Sequence, residues 1–235
     1  MSYTNRDFVS QVRSMSKLLS SDQMITDRAI LREGKDVANL LVKQSMDKRK
    51  LWQSPNVFAF FPCLEMEKVP ISECCEYISE TMVAKSKKKL PKIGEGTWGL
   101  AIQGVYGLDM TKKLKEVNPN RYANILKLKL NVNDVYYWIL NDHLYVSNPD
   151  TKAANMFLYP AEIVSNDLLF PGADCDCMVK PHISDLCANP LDQPFYAPSD
   201  RITDIKNIVY STLMKVYFGI SIDKTSDNKD DQTKQ

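Results

Sequence analysis

The sequence predicts an α+β fold: an N-terminal helical pair and a C-terminal helix form a helical body, and a small antiparallel β region is inserted between them. Two observations carry this expectation. Apolar residues recur at three- and four-residue intervals near both ends of the chain, the period of a helix with one buried face. Between those ends lie short runs of β-branched and aromatic residues, bounded by Pro, Gly, Asn and Asp. The expected divisions are 1–55 for the N-terminal helices, 56–165 for the β-rich region, 166–200 for an irregular Cys- and Pro-rich connection, and 201–235 for the C-terminal helix and an extended tail.

Each element has its own signal. Thr4 followed by Asp7 forms a capping box with Asp in place of the usual Glu, and Phe8, Val12, Met15 and Leu19 then make one apolar stripe. "SSDQ" breaks that helix. Thr26 or Ser21 caps a second one, whose expected apolar face is Ile30, Leu31, Val37, Leu40 and Leu41. A short break between two helices implies an antiparallel pair or one long kinked helix. From residue 56 the character changes, and "NVFAFFPCLEMEKVPI" reads as a strand with prolines near its edges. "SECCEYISETMVAKSKKKLP" fits a short helix or a strand with a basic exit. "ANILKLKLN" alternates strictly, with Leu126, Leu128 and Leu130 on one face, and predicts a half-buried strand. "VYYWIL" and "HLYVSN" flank Asn141-Asp142, a pair able to take the positive φ angles of a tight hairpin turn. "AANMFLYPAEIV" is a further strand. In the last helix Ser199 or Asp200 is the expected cap, Ile202, Ile205, Val209, Leu213 and Val216 the stripe, and Gly219 the terminator.

Composition removes several function classes. A hydrophobic fraction of 44% with 25% charged residues is that of an ordinary globular protein. The formal net charge of +1 gives no global pull toward nucleic acid or anionic membrane. "MSYTNRDFVSQ" carries charge where a signal peptide would be apolar. "VYYWIL" is far shorter than the ~20 residues of a membrane span. The chain is therefore expected in a cytosol, with its six cysteines reduced.

Several motifs remain to be weighed. "GEGTWG", residues 94–99, is a literal G-x-G-x-x-G, but it neither follows a buried strand nor opens a helix. It therefore reads as a loop with turns or bulges rather than a nucleotide site. Lys85, Lys87, Lys88, Lys89 and Lys92 form the one basic cluster, a candidate contact for DNA or an acidic partner and otherwise a solvated edge. Cys177, His182 and Cys187 are spaced C-x4-H-x4-C, as in the second half of a zinc knuckle, with Cys175 one residue too close to Cys177. Thiolate and imidazole are good zinc ligands. The alternative function is accordingly a nucleic-acid-binding protein with a degenerate zinc knuckle at Cys175, Cys177, His182 and Cys187. Against it, residues 178–181 are "MVKP", where a knuckle carries glycine. No nucleophile–base–orienter constellation is evident with only two histidines. His143 beside the hairpin turn is expected to be exposed. No enzyme activity and no cofactor are expected.

"YTNRDFVSQVRSMSK", "ITDRAIL", "FFPCLEMEKV", "MVAKSKKKLP", "VYYWILNDHLYV" and "LDQPFYAPSDRITDIKNIVYSTLMKVY" occur in this order. Together they resemble the virion structural proteins of crAss-like and related Bacteroidetes phages, most closely the portal-proximal ring protein 1, a head–tail connector. The resemblance implies a homo-oligomeric ring of about twelve copies. It also implies contact with the portal protein and with further tail or collar rings, proximity to genomic DNA without sequence readout, and no membrane. Assembly would take place in the host bacterial cytoplasm. By analogy of architecture, Ile220, Ile222, Lys224, Lys229 and Gln235 would dock the portal. The β region with Trp98, Tyr106, Tyr136 and Trp138 would face the next ring.

Overall fold

The computed structural model describes residues 3–15, 25–48, 57–73, 81–119, 121–122, 125, 134–164 and 189–219. The capping box at the start of the chain is present: the Thr4 hydroxyl accepts from the Asp7 amide, and the Asp7 carboxylate accepts from the Thr4 amide. It opens α1 (Asn5–Ser14). Thr26 caps α2 (Asp27–Asp47) by accepting from the Ala29 amide. Arg13, near the end of α1, bonds Asp27 at the start of α2 at 2.7 Å, and Phe8 lies against Gly34, so the two helices run antiparallel.

The strands are β1 (Ala59–Pro70), β2 (Met82–Ser86), β3 (Glu95–Gly96), β4 (Gly99–Leu100), β5 (Ile102–Tyr106), β6 (Lys115–Glu116), β7 (Tyr136–Leu140), β8 (His143–Val146) and β9 (Ala153–Leu158). Then α3 (Ile202–Phe218) follows a 3-10 turn at Ser199–Arg201. Neither Ser199 nor Asp200 caps α3; Arg201 occupies the cap position, and no side chain caps the helix. Gly219 ends the helix at φ 66°, the left-handed conformation expected of a glycine terminator.

The β region is not a small insert in a helical body. Seven strands form one mixed sheet in the order β5-β9-β1-β2-β8-β7-β6, antiparallel throughout except for the parallel β6–β7 pair. The sheet is nearly barrel-shaped, because its two edges are brought together by one segment. The Leu114 amide donates to the Val105 carbonyl of β5 at 2.8 Å, and the Lys115 and Val117 amides donate to the Val135 and Tyr137 carbonyls at 3.1 and 3.0 Å. The fold is therefore β-rich: among the described residues, α1, α2 and α3 pack beside a barrel-like sheet.

One long strand makes this curvature possible. The first half of β1 pairs with β9 and its second half with β2. The register shifts between Phe61 and Leu64, where Cys63 takes φ 51°. Such a bulge bends a strand and re-aims its side chains. Asn155 of β9, only 5% exposed, holds it. Its Oδ1 accepts from the Cys63 amide at 2.9 Å, and its Nδ2 donates to the Gly107 and Leu108 carbonyls at 3.2 Å each. Cys63 is disulfide-bonded, against the expectation of reduced thiols. The chain's other five cysteines lie outside the described residues.

Alternation within the strands separates the cores. Phe61, Leu64, Met66, Ala84, Leu144, Val146, Ala154, Met156 and Leu158 form the enclosed face. On the opposite face of β2, β8 and β7, Val83, Tyr136, Trp138 and Tyr145 are buried with Tyr122. A third core joins Phe8, Val12, Ile30, Ala38, Ile205, Val209 and Leu213 of the helices to Phe195. A fourth, with Val42, Met46, Phe58 and Tyr159, welds α2 to the barrel.

The hairpin turn is as expected, with Asn141 and Asp142 at φ 51° and 63°. "GEGTWG" is a two-residue-stranded hairpin, β3–β4, and not the mouth of a nucleotide fold. Three residues expected on apolar helix faces are exposed instead: Met15 at 38%, Leu40 at 56% and Val216 at 68%. Within "ANILKLKLN" only Ile125 is among the described residues, and it is helical, as are Arg121 and Tyr122 just before the segment. Leu126, Leu128 and Leu130, together with Leu19, Ser21 and the Cys74-Cys75 pair, lie outside the described residues.

Two substitutions test these contacts. A methyl group on Gly34 would lie 2.5 Å from a Phe8 ring carbon, and that ring is stacked on Phe195 at 4.3 Å with no exposure. Gly→Ala in a helix gains ~1 kcal/mol, whereas overpacking a tight core costs ~1–3 kcal/mol. Gly34→Ala is thus expected to lower stability in urea unfolding, although the same change at an exposed helical glycine would raise it. Asn155→Ala removes the bulge's buried partner and should cost ~1–3 kcal/mol in the same assay.

Candidate functional site

On α2, Arg28, Arg32, Lys35, Asn39, Val42 and Met46 fall at intervals of 4, 3, 4, 3 and 4. They therefore share one face of the helix. That face turns toward the barrel and forms one wall of a cleft of about 810 Å³. The other wall is residues 92–95, the end of β9 at Tyr159, and Ala161 to Ile163. Five cations line it, Arg28, Arg32, Lys35, Lys43 and Lys92, against three carboxylates, Asp36, Glu95 and Glu162.

Its floor is fixed by hydrogen bonds between the two walls. The Tyr159 hydroxyl donates to Asn39 Oδ1 at 2.7 Å, and Asn39 Nδ2 donates to the Ala161 carbonyl at 2.8 Å. The Ala161 amide donates to the Lys92 carbonyl, and the Lys92 amide to Glu162 Oε1. Gly94 is required here: a Cβ on it would lie 2.4 Å from the fully buried Tyr159 ring. At the far end of the cleft, the Thr97 amide donates to Asp47 Oδ1 at 2.9 Å and ties the β3–β4 hairpin to the end of α2.

Lys35 stands deepest. It is 6% exposed, and its Nζ has no hydrogen-bond partner among the described residues. The ammonium lies 4.9 Å from the centre of the Tyr159 ring and 5.7 Å from that of Tyr196, a cation–π arrangement. These rings replace only part of the hydration an ammonium loses on burial. Burial accordingly pulls the Lys35 pKa down from 10.5 to about 7. Burial also raises the phenols of Tyr159 and Tyr196, which stay neutral and do not compensate the charge.

The basic cluster of 85–92 is divided by the fold. Lys85 pairs with Glu73 at 3.2 Å and Lys87 with Glu65 at 2.9 Å. Lys88 and Lys89 are exposed on the loop after β2, and Lys92 belongs to the cleft. His143 is half-buried, not exposed; its Nδ1 lies 2.8 Å from the Ser86 carbonyl oxygen. Of the four aromatics expected to face a neighbouring ring, Trp98 is 68% exposed at the hairpin tip and Tyr106 is half-buried. Tyr136 and Trp138 are buried core residues instead. The zinc-knuckle residues Cys175, Cys177, His182 and Cys187 lie outside the described residues, as do Ile220, Ile222, Lys224, Lys229 and Gln235. Among the described residues no group of three or more His, Cys, Asp or Glu is placed to hold a metal ion. No described helix is long and apolar enough to cross a membrane.

The model of the phage tail ring protein 2 family, a family of crAss-like phages, matches residues 7–232. The chain belongs to this family. It is thus a structural ring protein of a crAss-like phage tail and a component of the virion. The resemblance to crAss-like virion proteins holds at that level, while the family is that of ring protein 2 and not ring protein 1. No curated protein matches the chain.

Sequence reasoning missed Lys35 and the cleft. The expected apolar face of α2 took in Leu40, which is exposed, and left out the basic-to-apolar stripe that starts at Arg28. A lysine four residues after Leu31 and three before Ala38, both buried, was the available signal.

The depressed pKa gives a signed expectation. Between about pH 7 and 10.5 the unfolded chain holds a proton on Lys35 that the folded protein has lost, so stability rises with pH across that window. Lys35→Met removes the penalty. The variant should be more stable than the wild type below pH 7, and the difference should shrink by ~1.4 kcal/mol per pH unit above it. Urea unfolding at pH 6, 7, 8 and 9 measures this.

Proposed function

We propose that the chain forms a homo-oligomeric ring of about twelve copies in the tail collar, coaxial with the portal and surrounding the path of the genome. The observation that carries this reading is the family match, which takes in nearly the whole chain. The charge arrangement supports it. A ring around moving DNA must not hold phosphates tightly, because each neutralised phosphate adds to affinity through counterion release. Lys85 and Lys87, two of the five lysines in the basic cluster, are already paired with glutamates. Lys89, exposed on the loop after β2, serves weak, sliding contact.

Connection to the portal is the finer part of this proposal, with the segment after Gly219 as the docking element through Ile220, Ile222, Lys224, Lys229 and Gln235. Further tail rings are the partners on the other side, and assembly takes place in the host cytoplasm. Trp98, exposed at the β3–β4 tip, is one aromatic that would meet such a partner.

Mass photometry and negative-stain electron microscopy of the full chain, alone and with portal, test the reading. The expected outcome is a closed ring of uniform copy number, retained when Lys88 and Lys89 are both changed to Gln. A chain that stays monomeric with portal and the other tail rings present would overturn it.

A further inference from the structure

None of the five cations around the cleft behind α2 is in an ion pair among the described residues, unlike several cations elsewhere on the surface. Arg6, Arg13, Lys85, Lys87 and Lys115 are each in an ion pair. Among the described residues, Arg28, Arg32, Lys43 and Lys92 are in none, and Lys35 Nζ has no hydrogen bond at all. Unneutralised cations therefore collect on one concave surface, with a buried ammonium at its base.

We propose that this cleft receives a carboxylate side chain from an adjoining copy of the chain, with Lys35 as its innermost contact. The inference rests on the ring reading above.

The cleft's own chemistry selects the ligand class. An anion reaching Lys35 must be small and carried on a thin stem, and the flexible lysine side chain must turn outward to meet it, because its Nζ is itself buried. The side chain of Asp or Glu meets that description, and the backbone of a nucleic-acid duplex does not. Asp36, Glu95 and Glu162 on the walls repel a continuous string of phosphates, whereas a single carboxylate needs only one cation at the base. Leu40 and Ile163, 56% and 39% exposed, border the opening and offer apolar contact to the rest of a polypeptide. Asn39 has both ends of its amide engaged across the cleft, so the floor is set before anything enters.

The second copy follows from the assembly. In a ring of identical chains, each copy presents one fixed patch to the next, and the two patches differ. An acceptor cleft on one patch and a carboxylate on the other is such a contact. With 29 acidic residues per chain, carboxylates are the anion a neighbouring copy supplies.

Seating the carboxylate restores the charged form of Lys35, so each contact takes up close to one proton when it forms above neutral pH. The groups facing Lys35 are Arg32, Asp36 and Asn39 from α2, Tyr159 and Glu162 from the barrel side, and Tyr196 from the segment before α3. Neither carboxylate lies within hydrogen-bond reach of Lys35 Nζ.

The test uses the full chain and its Lys35→Met variant, with folding checked by the urea series above. Ring formation is followed by mass photometry at pH 6.5 and 8.5. In parallel, hexaglutamate and a double-stranded oligonucleotide are titrated by fluorescence anisotropy. The wild type should need about tenfold more protein to assemble at pH 8.5 than at pH 6.5. Folded Lys35→Met should stay unassembled at both and lose hexaglutamate binding. A variant that assembles like the wild type overturns the inference and leaves the ring reading standing. A wild type that never assembles, even with portal and the other rings, defeats the ring reading and with it the adjoining copy as donor. Loss of oligonucleotide binding in the variant, with no hexaglutamate binding to lose, overturns the choice of a carboxylate.

Discussion

The bulge at Pro62-Cys63 and the single side chain that holds it decide the architecture. A strand of twelve residues with uniform register would serve one flat sheet. Interrupted near its start, β1 instead turns from β9 toward β2 and becomes the seam of a barrel. Asn155 satisfies the Cys63 amide on one side and the end of β5 on the other, so the same residue fixes the bend and the strand that must later meet the closing segment. An amide that is nearly buried and fully bonded specifies one register, because any slip leaves several polar groups without partners.

The helices depend on that barrel for their placement. The α1–α2–α3 bundle has its own core around the Phe8–Phe195 stack, but it meets the sheet mainly along one stripe of α2. A straight helix laid on a curved surface touches it over a limited length. Val42 and Met46 make the apolar part of that contact. The cleft follows the same stripe from Met46 to Arg28, with the Tyr159–Asn39 bond across its floor. Lys35 lies one turn from Asn39, within the fold and short of water.

Local signals in the sequence translated well. Thr4 with Asp7, Asn141-Asp142, Gly219 and the failed nucleotide motif at 94–99 each depend on chemistry within a few residues, and each was readable. The barrel was not. On the β2–β8–β7 side both sheet faces are buried, so Tyr136, Tyr137 and Trp138 are consecutive apolar residues with no alternation to count. β6 has two residues and pairs in parallel with a strand some twenty residues later, a contact no local pattern announces. The helix faces failed where packing stops short of the ideal stripe, as at Leu40 and Val216. Lys35 was hidden because a buried ammonium depends on rings that come from residues 159 and 196, far away in the chain.

The closing segment at 113–117 has a consequence for life in a crowded particle. An open sheet presents a row of unpaired amides and carbonyls that invites strand addition from any identical neighbour. Copies of a ring protein sit side by side at very high local concentration, where such templating would lead to fibrils instead of a bounded assembly. Here Leu114, Lys115 and Val117 engage both margins of the seven-stranded sheet, at Val105, Val135 and Tyr137, and occupy border that a neighbour's strand would otherwise pair with. Recognition between copies is thereby left to side chains, whose geometry permits an assembly of finite size.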